Sequence, residues 1–205
     1  MNGLLQWGWL ILWSTVAVVA DQCEAGGSVL ASRPASMPAS APAEFKPGEW
    51  PMFRGDPGLS GVATCRLPEK LSVRWTIDVK EAVESTAAIV GGMAFFGADD
   101  KRLRAVDLRT GQVKWEFATK GQIRASPCVV GGVVYIGDND GTFHAIDART
   151  GTAKWATRTD GEINSSAIYV AGRLLFGSYD GYVYCVAAAD GKVIWKTETE
   201  GRVHG

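Results

Sequence analysis

The sequence has few of the residues that carry proton transfer, nucleophilic attack and metal binding. Its 205 residues include only 2 histidines and 4 cysteines. His144 has no second candidate ligand close by in sequence. The cysteines form no adjacent pair and no Cys-x-x-Cys motif, the spacing of redox and zinc sites; they are Cys23, Cys65, Cys128 and Cys185. We therefore assign no catalytic residue and no metal ligand from the sequence.

An excess of charge of either sign is also lacking. The chain has 21 Lys and Arg residues against 22 Asp and Glu, a net charge of -1. Nucleic-acid binders carry a basic excess or stripe, so we expect no nucleic-acid partner. With 46% hydrophobic and 21% charged residues, the chain as a whole is not disordered. Its 25 glycines and 8 tryptophans favour short strands joined by tight turns.

No basic residue precedes the apolar run from Leu4 to Ala20, because the first one is Arg33. The run is otherwise typical of a secretory signal peptide, with small or modest side chains before a cut after Ala20. We expect residues 1–20 to be a signal peptide. The alternative is an uncleaved membrane anchor, since about 20 apolar residues can span a bilayer.

Residues 21–48 are rich in Ala, Ser and Pro, most densely between Arg33 and Pro42. Such a segment buries too little apolar surface to offset the entropy of ordering the chain, and proline keeps it extended. We expect a linker that holds the folded part away from a membrane or wall.

The rest of the chain repeats with a period of 40 residues. Several independent columns keep this period without an insertion; they include Trp75, Trp115, Trp155 and Trp195, then Gly111, Gly151 and Gly191, and then Gly97, Gly137 and Gly177. A period of about 40 residues is typical of a solenoid, an array or a propeller.

Strand signals choose among these architectures. The repeat at 121–160 contains four short apolar or β-branched runs separated by Gly, Asn and Asp turns; the runs are 125–130, 133–136, 142–146 and 152–158. No segment shows a sustained helical period. Four antiparallel strands in 40 residues describe a propeller blade. We predict an all-β fold, a β-propeller of four-stranded antiparallel blades, with repeats at about 81–120, 121–160 and 161–200.

One motif within the repeat resembles a known family. It reads Ala105-x-Asp107-x-x-Thr110-Gly111-x-x-x-Trp115 and recurs as Ala145-x-Asp147-x-x-Thr150-Gly151-x-x-x-Trp155. This is similar to the tryptophan-docking motif of the pyrroloquinoline-quinone (PQQ) repeat, which builds quinoprotein dehydrogenases and BamB-type outer-membrane assembly lipoproteins. The third copy departs from it at Cys185, Ala187 and Asp190.

In that family the tryptophan stacks on the glycine peptide of a neighbouring blade. A large flat ring buries much apolar area, and only glycine lets a backbone approach it closely. The resemblance thus implies a blade-docking role for Ala105, Gly111, Trp115, Ala145, Gly151, Trp155, Gly191 and Trp195.

Residues 50–56 resemble the segment that opens many secreted propellers of this kind. The strand that carries Trp75 has no three strands before it, and the resemblance implies that it completes the last blade of a ring. We expect residues 49–205 to hold about three and a half blades of an incomplete propeller, a truncated product or a fragment.

The resemblance offers two functions. PQQ-dependent dehydrogenases hold the quinone between a tryptophan and a disulfide of adjacent cysteines, with calcium and a catalytic Asp. This chain has no adjacent cysteines, and its acidic turns lack a complete calcium loop. We therefore expect no cofactor and no enzyme activity. We expect an exported interaction module of the BamB type in the periplasm or cell envelope of a bacterium, presenting blade-top loops to a protein partner; the alternative is a fragment of a PQQ-dependent dehydrogenase.

Overall fold

A computed structural model describes residues 46, 48–63, 65 and 69–205, together with the backbone of Thr15–Val18. The signal peptide expected at 1–20 and the linker expected at 21–48 lie almost wholly outside the described residues. The described part consists of strands, turns and irregular connections. Within it, no helix is long and apolar enough to cross a membrane.

Twelve of the strands form three four-stranded antiparallel sheets in simple chain order. Each sheet is one repeat of the sequence, so the three repeats are three propeller blades. The first contains β3 (Ala88–Val90), β4 (Met93–Ala98), β5 (Arg102–Asp107) and β6 (Val113–Ala118). The second contains β7 (Cys128–Val130), β8 (Val133–Gly137), β9 (Thr142–Asp147) and β10 (Ala153–Arg158). The third contains β11 (Ile168–Val170), β12 (Arg173–Gly177), β13 (Tyr182–Ala187) and β14 (Val193–Glu198).

A partial blade precedes the three complete ones. Strand β2 (Trp75–Asp78) pairs antiparallel with β1 (Thr15–Val18). Trp75 lies 40 residues before Trp115, so β2 occupies the fourth-strand position of a blade. Three complete blades and this partial one form an open array within the described residues, and the predicted all-β propeller fold is confirmed.

The first strand of each blade is shorter than its apolar run. The sequence pattern predicted a strand over 125–130, whereas β7 begins at Cys128. The preceding residues bond to neighbouring blades instead. The Ser126 hydroxyl accepts from the Thr86 N–H at 2.9 Å, and the Ser126 N–H donates to the Ser166 hydroxyl at 3.0 Å. A backbone that makes these contacts cannot also continue the ladder within its own sheet.

Burial follows the stacking of the blades. Strand β5 is buried at four successive positions, because neighbouring blades cover both of its faces. The fourth strands β6 and β10 alternate between exposed and partly buried residues, as expected for an outer edge. Aromatic rings join the second and third blades, where Phe143 and Phe176 stack with centroids 4.0 Å apart.

Candidate functional site: the blade interfaces and the top face

Each periodic tryptophan except the last lies against a glycine of the next blade. The Trp115 ring covers Gly151 so closely that a methyl carbon built on Gly151 would lie 2.7 Å from the ring. Trp75 covers Gly111 at the same separation, and Trp155 covers Gly191. Gly151 also has a φ of +74°, a conformation that favours glycine. The structure thus brings together residues that the sequence motif could relate only by analogy.

A hydrogen bond holds each of these rings in its orientation. The indole N–H donates to a backbone carbonyl 33 residues further along the chain: Trp75 to Leu108 at 2.8 Å, Trp115 to Ala148 at 3.0 Å and Trp155 to Ala188 at 3.1 Å. A buried indole N–H needs such a partner.

The remaining motif residues divide into two groups. Ala105 and Ala145 are fully buried and lie opposite Trp115 and Trp155 in the strand register. Trp195, in contrast, is 41% exposed, and none of the described glycines lies against it. The docking role itself remains a prediction, which the substitutions proposed in the Discussion test.

A second set of glycine contacts was missed by the sequence reasoning. A methyl group on Gly97 would overlap Ile123, and one on Gly137 would overlap Ile163. Each glycine therefore lets the second strand of one blade approach the connection that leads into the next. The 40-residue periodicity of these glycines was visible, but it did not indicate their partner.

The third strands carry a polar pair at one shared position. His144 aligns with Arg104 and Tyr184, and all three bond to an aspartate of their own blade. His144 Nε2 lies 3.0 Å from Asp138, and the Tyr184 hydroxyl donates to Asp180 at 2.6 Å. Arg104 pairs with Asp100. A proton donor at this position is therefore used to bind the neighbouring turn.

Asp138 is fully buried, yet it favours its ionised form. Burial alone would raise the pKa of the Asp138 carboxyl. The hydrogen bonds from His144 and from the N–H groups of Thr142 and Asp140 outweigh that effect and hold the pKa below its ordinary value. Asp138 therefore anchors the turn between β8 and β9 as a carboxylate.

The described cysteines show no paired chemistry. Cys128 and Cys185 are buried and Cys65 is partly exposed, each as a free thiol. Burial raises the pKa of the Cys128 thiol to about 12, so the nucleophilic thiolate is scarce near neutral pH. In the part of the chain that the structure describes, no group of three or more His, Cys, Asp or Glu residues is arranged to hold a metal ion.

The segment that resembles a propeller opening crosses the first strands of two blades. Trp50 exchanges two backbone hydrogen bonds with Ile89 of β3, at 2.7 and 2.8 Å. The Pro51 carbonyl accepts from the Val129 N–H of β7 at 2.7 Å. Met52 is 1% exposed and packs in the apolar cluster shared by the second and third blades. This segment therefore ties strands that the repeats leave unpaired.

The antiparallel order places the turns on two opposite sides of the blades. We call top face the side with the turn between second and third strands and the connection to the next blade; its residues are 99–101, 119–127, 138–141, 159–167, 178–181 and 199–205. The bottom face carries the two other turns. A cleft of about 520 Å³ opens on the top face between the second and third blades, and polar side chains line it; they are Asn139, Asp140, Arg158, Thr159, Asp160, Glu162, Tyr179 and Arg202.

Solved structures share this architecture. BamB from Moraxella catarrhalis matches with a TM-score of 0.56 at 22% identity, over 62% of this chain and 40% of that one. Quinohemoprotein alcohol dehydrogenase from Comamonas testosteroni matches with a TM-score of 0.66 at 23% identity, over 76% of this chain and 28% of that one. At these identities the likeness concerns the fold, and the chain spans less than half of either structure.

No curated protein matches the chain. A family model described as outer membrane protein assembly factor BamB matches residues 67–205. That match contains all three complete blades and strand β2 with Trp75. The chain therefore belongs to the PQQ-repeat family of outer membrane protein assembly factor BamB and folds as a PQQ-repeat β-propeller.

Proposed function

We propose that the chain is a non-catalytic protein-interaction module, exported to the periplasm or cell envelope of a bacterium. The observation that carries the proposal is the use of its chemically capable side chains in structure. His144 binds Asp138, Tyr184 binds Asp180, and Cys128 is buried with a raised pKa. Groups occupied in this way hold the turns in place and are not poised to act on a substrate.

The top face is the surface we assign to a protein partner. Its turns project from rigid sheets, and loops on a rigid scaffold are where binding residues concentrate. The one polar cleft described above opens there, between the second and third blades. The BamB family match supports this assignment, since the model is described as an outer membrane protein assembly factor.

The rival function is that of a fragment of a PQQ-dependent dehydrogenase. The observation in its favour is the TM-score of 0.66 to quinohemoprotein alcohol dehydrogenase, against 0.56 to BamB. The tryptophans Trp75, Trp115 and Trp155 each already cover a glycine of the next blade. A quinone would therefore have to bind elsewhere in this chain.

Photo-crosslinking in the native host tests the proposal. A photoreactive phenylalanine is placed at Lys120 or Asn164 on the top face and, as matched controls, at Arg109 or Arg149 on the bottom face; all four side chains lie in turns or connections. We expect a discrete protein adduct from the top positions only. Equal adducts from both faces, or none from either, would contradict the assignment.

A second measurement addresses the rival. PQQ and calcium are added to the purified chain, and tryptophan fluorescence and dye-linked alcohol oxidation are followed. We expect neither saturable quenching nor turnover. Saturable quenching with turnover would establish the dehydrogenase reading instead.

A further inference from the structure

The interface between the first and second blades contains a bound cation supplied by the chain itself. The Arg124 guanidinium donates to Asp99 at 3.2 and 3.1 Å and to Gln122 at 3.3 Å. It also lies 3.6 Å from Glu84. The Asp99 side chain is only 11% exposed, so this carboxylate depends on Arg124 for its partner.

The next interface has the same backbone and different side chains. Forty residues on, Asn139 stands where the first interface has Asp99, and Asn164 stands where it has Arg124. The Asn164 amide nitrogen donates to Glu162 at 3.3 Å. The side-chain oxygens of both asparagines are buried without a hydrogen-bond donor. Buried carbonyl oxygens normally have a donor, so this interface lacks the group that Arg124 provides one blade earlier.

The top-face cleft opens beside this pair, and Asn139 lines it. Its carboxylates outnumber its cations. Arg158 is neutralised by Asp140 at 2.8 Å. Among the described residues, Asp160 and Glu162 form no ion pair with a basic side chain. The cleft therefore favours a positive ligand.

An aromatic face completes the lining. The Tyr179 ring has the Arg202 guanidinium 5.3 Å from its centroid, which shows that a planar cation can lie on it. Arg202 itself is exposed, so this stacking position can be exchanged with an external guanidinium.

We propose that the cleft between the second and third blades binds an arginine side chain of a partner protein. The proposal rests on the top-face interaction function given above and adds the chemistry of what is recognised. A guanidinium has five N–H donors in a planar fork, which suits two carboxylates, an amide oxygen and a ring face together. Asp160 and Glu162 supply the charge, Asn139 the amide oxygen and Tyr179 the ring.

The test uses the whole chain and the peptide acetyl-Arg-Arg-Arg-amide, with binding followed by calorimetry and by NMR of the asparagine side-chain amides. The control peptide replaces arginine by citrulline, which has the same shape and no charge. We expect saturable binding of the arginine peptide and binding at least tenfold weaker for citrulline. Equal binding of the two peptides, or no saturation, overturns the proposal.

Substitutions then locate the site. The pair Asn139→Asp and Asn164→Arg rebuilds the first interface, and we expect its own guanidinium to compete with the peptide and weaken binding at least tenfold. Glu162→Gln should weaken binding about fivefold to tenfold, the loss expected for a charged hydrogen bond. Asp190→Asn makes the same change of charge on the bottom face and should leave binding unchanged. Equal weakening by Asp190→Asn would overturn the proposal, because it would show a general charge effect.

Folding of each variant is checked by far-UV circular dichroism, and Asn164→Arg alone is a second variant should the pair fail to fold. Spermidine, a cation without a guanidinium, distinguishes arginine recognition from general cation binding; equal affinity for spermidine overturns the proposal. If the arginine peptide does not saturate while top-face crosslinks persist, the arginine site is refuted and the interaction function stands.

Discussion

The contact between Trp115 and Gly151 predicts a large difference between two similar substitutions. Gly151 and Gly131 both have a left-handed φ, +74° and +59°. A methyl carbon on Gly151 would lie 2.7 Å from Trp115, whereas one on Gly131 would meet nothing within 4 Å. Gly131→Ala is therefore a matched control for the backbone effect of Gly151→Ala.

The magnitudes follow from the two environments. Holding alanine in the left-handed region costs about 1–2 kcal/mol, and both variants bear this cost. Gly151→Ala must also displace the Trp115 ring, at about 1–3 kcal/mol for overpacking. Displacement strains the 3.0 Å indole hydrogen bond to Ala148, which contributes about 1 kcal/mol. We expect Gly151→Ala to destabilise the fold by roughly 2–4 kcal/mol more than Gly131→Ala.

Urea unfolding followed by far-UV circular dichroism measures this difference, because removal of a tryptophan does not distort that signal as it does fluorescence. Trp115→Ala should itself cost about 3–5 kcal/mol, as for a large buried aromatic side chain. In the double variant Trp115→Ala with Gly151→Ala the costs should be less than additive, since the methyl group then meets no ring. If the two glycine variants agree within about 0.5 kcal/mol, the docking role of this pair is refuted.

Three further outcomes are expected. Ala171 has a φ of +47° where the other repeats have Gly91 and Gly131, so Ala171→Gly should raise the unfolding free energy by about 1 kcal/mol; a lower thermal midpoint would contradict this. Because the folded-state pKa of Asp138 is lowered, its stabilisation is present above about pH 4, the unfolded value, and is lost as pH falls through the folded-state pKa. Asp138→Asn should therefore cost about 1–3 kcal/mol at pH 7 and much less near pH 2, and an equal cost at both pH values would refute the argument. Burial and a pKa of about 12 should protect Cys128 from iodoacetamide at pH 8 while the partly exposed Cys65 reacts, as peptide mapping by mass spectrometry can check; comparable labelling of the two would contradict the packing.

Much of the fold could be predicted because its signals are local. Each blade is a run of hairpins, and Gly, Asn and Asp at the turns mark where one strand ends and the next begins. Strands β8, β9 and β10 agree with their predicted runs to within one residue at each end. The first strand was predicted too long, since residues 125–127 are apolar or small like a strand but bond across the blade interface.

The candidate site was less predictable. The motif related Gly151 to a tryptophan only through resemblance to a family. Gly137 was visible as a periodic residue without a partner, and Asn139 and Asn164 carried no signal at all. Alignment of the repeats could have found the asparagine pair, because the same two columns hold Asp99 and Arg124 in the repeat before.

The sequence by itself determined the period, the number of strands in a blade and the positions of most turns, because these depend on backbone preferences of residues close together in the chain. Only the tertiary structure decided which blade surfaces meet. Trp115 and Gly151 are 36 residues apart, and Gly137 and Ile163 are 26 apart. Their contact depends on the distance and angle at which two neighbouring sheets stack. That geometry is set by the whole buried interface, and no local preference encodes it.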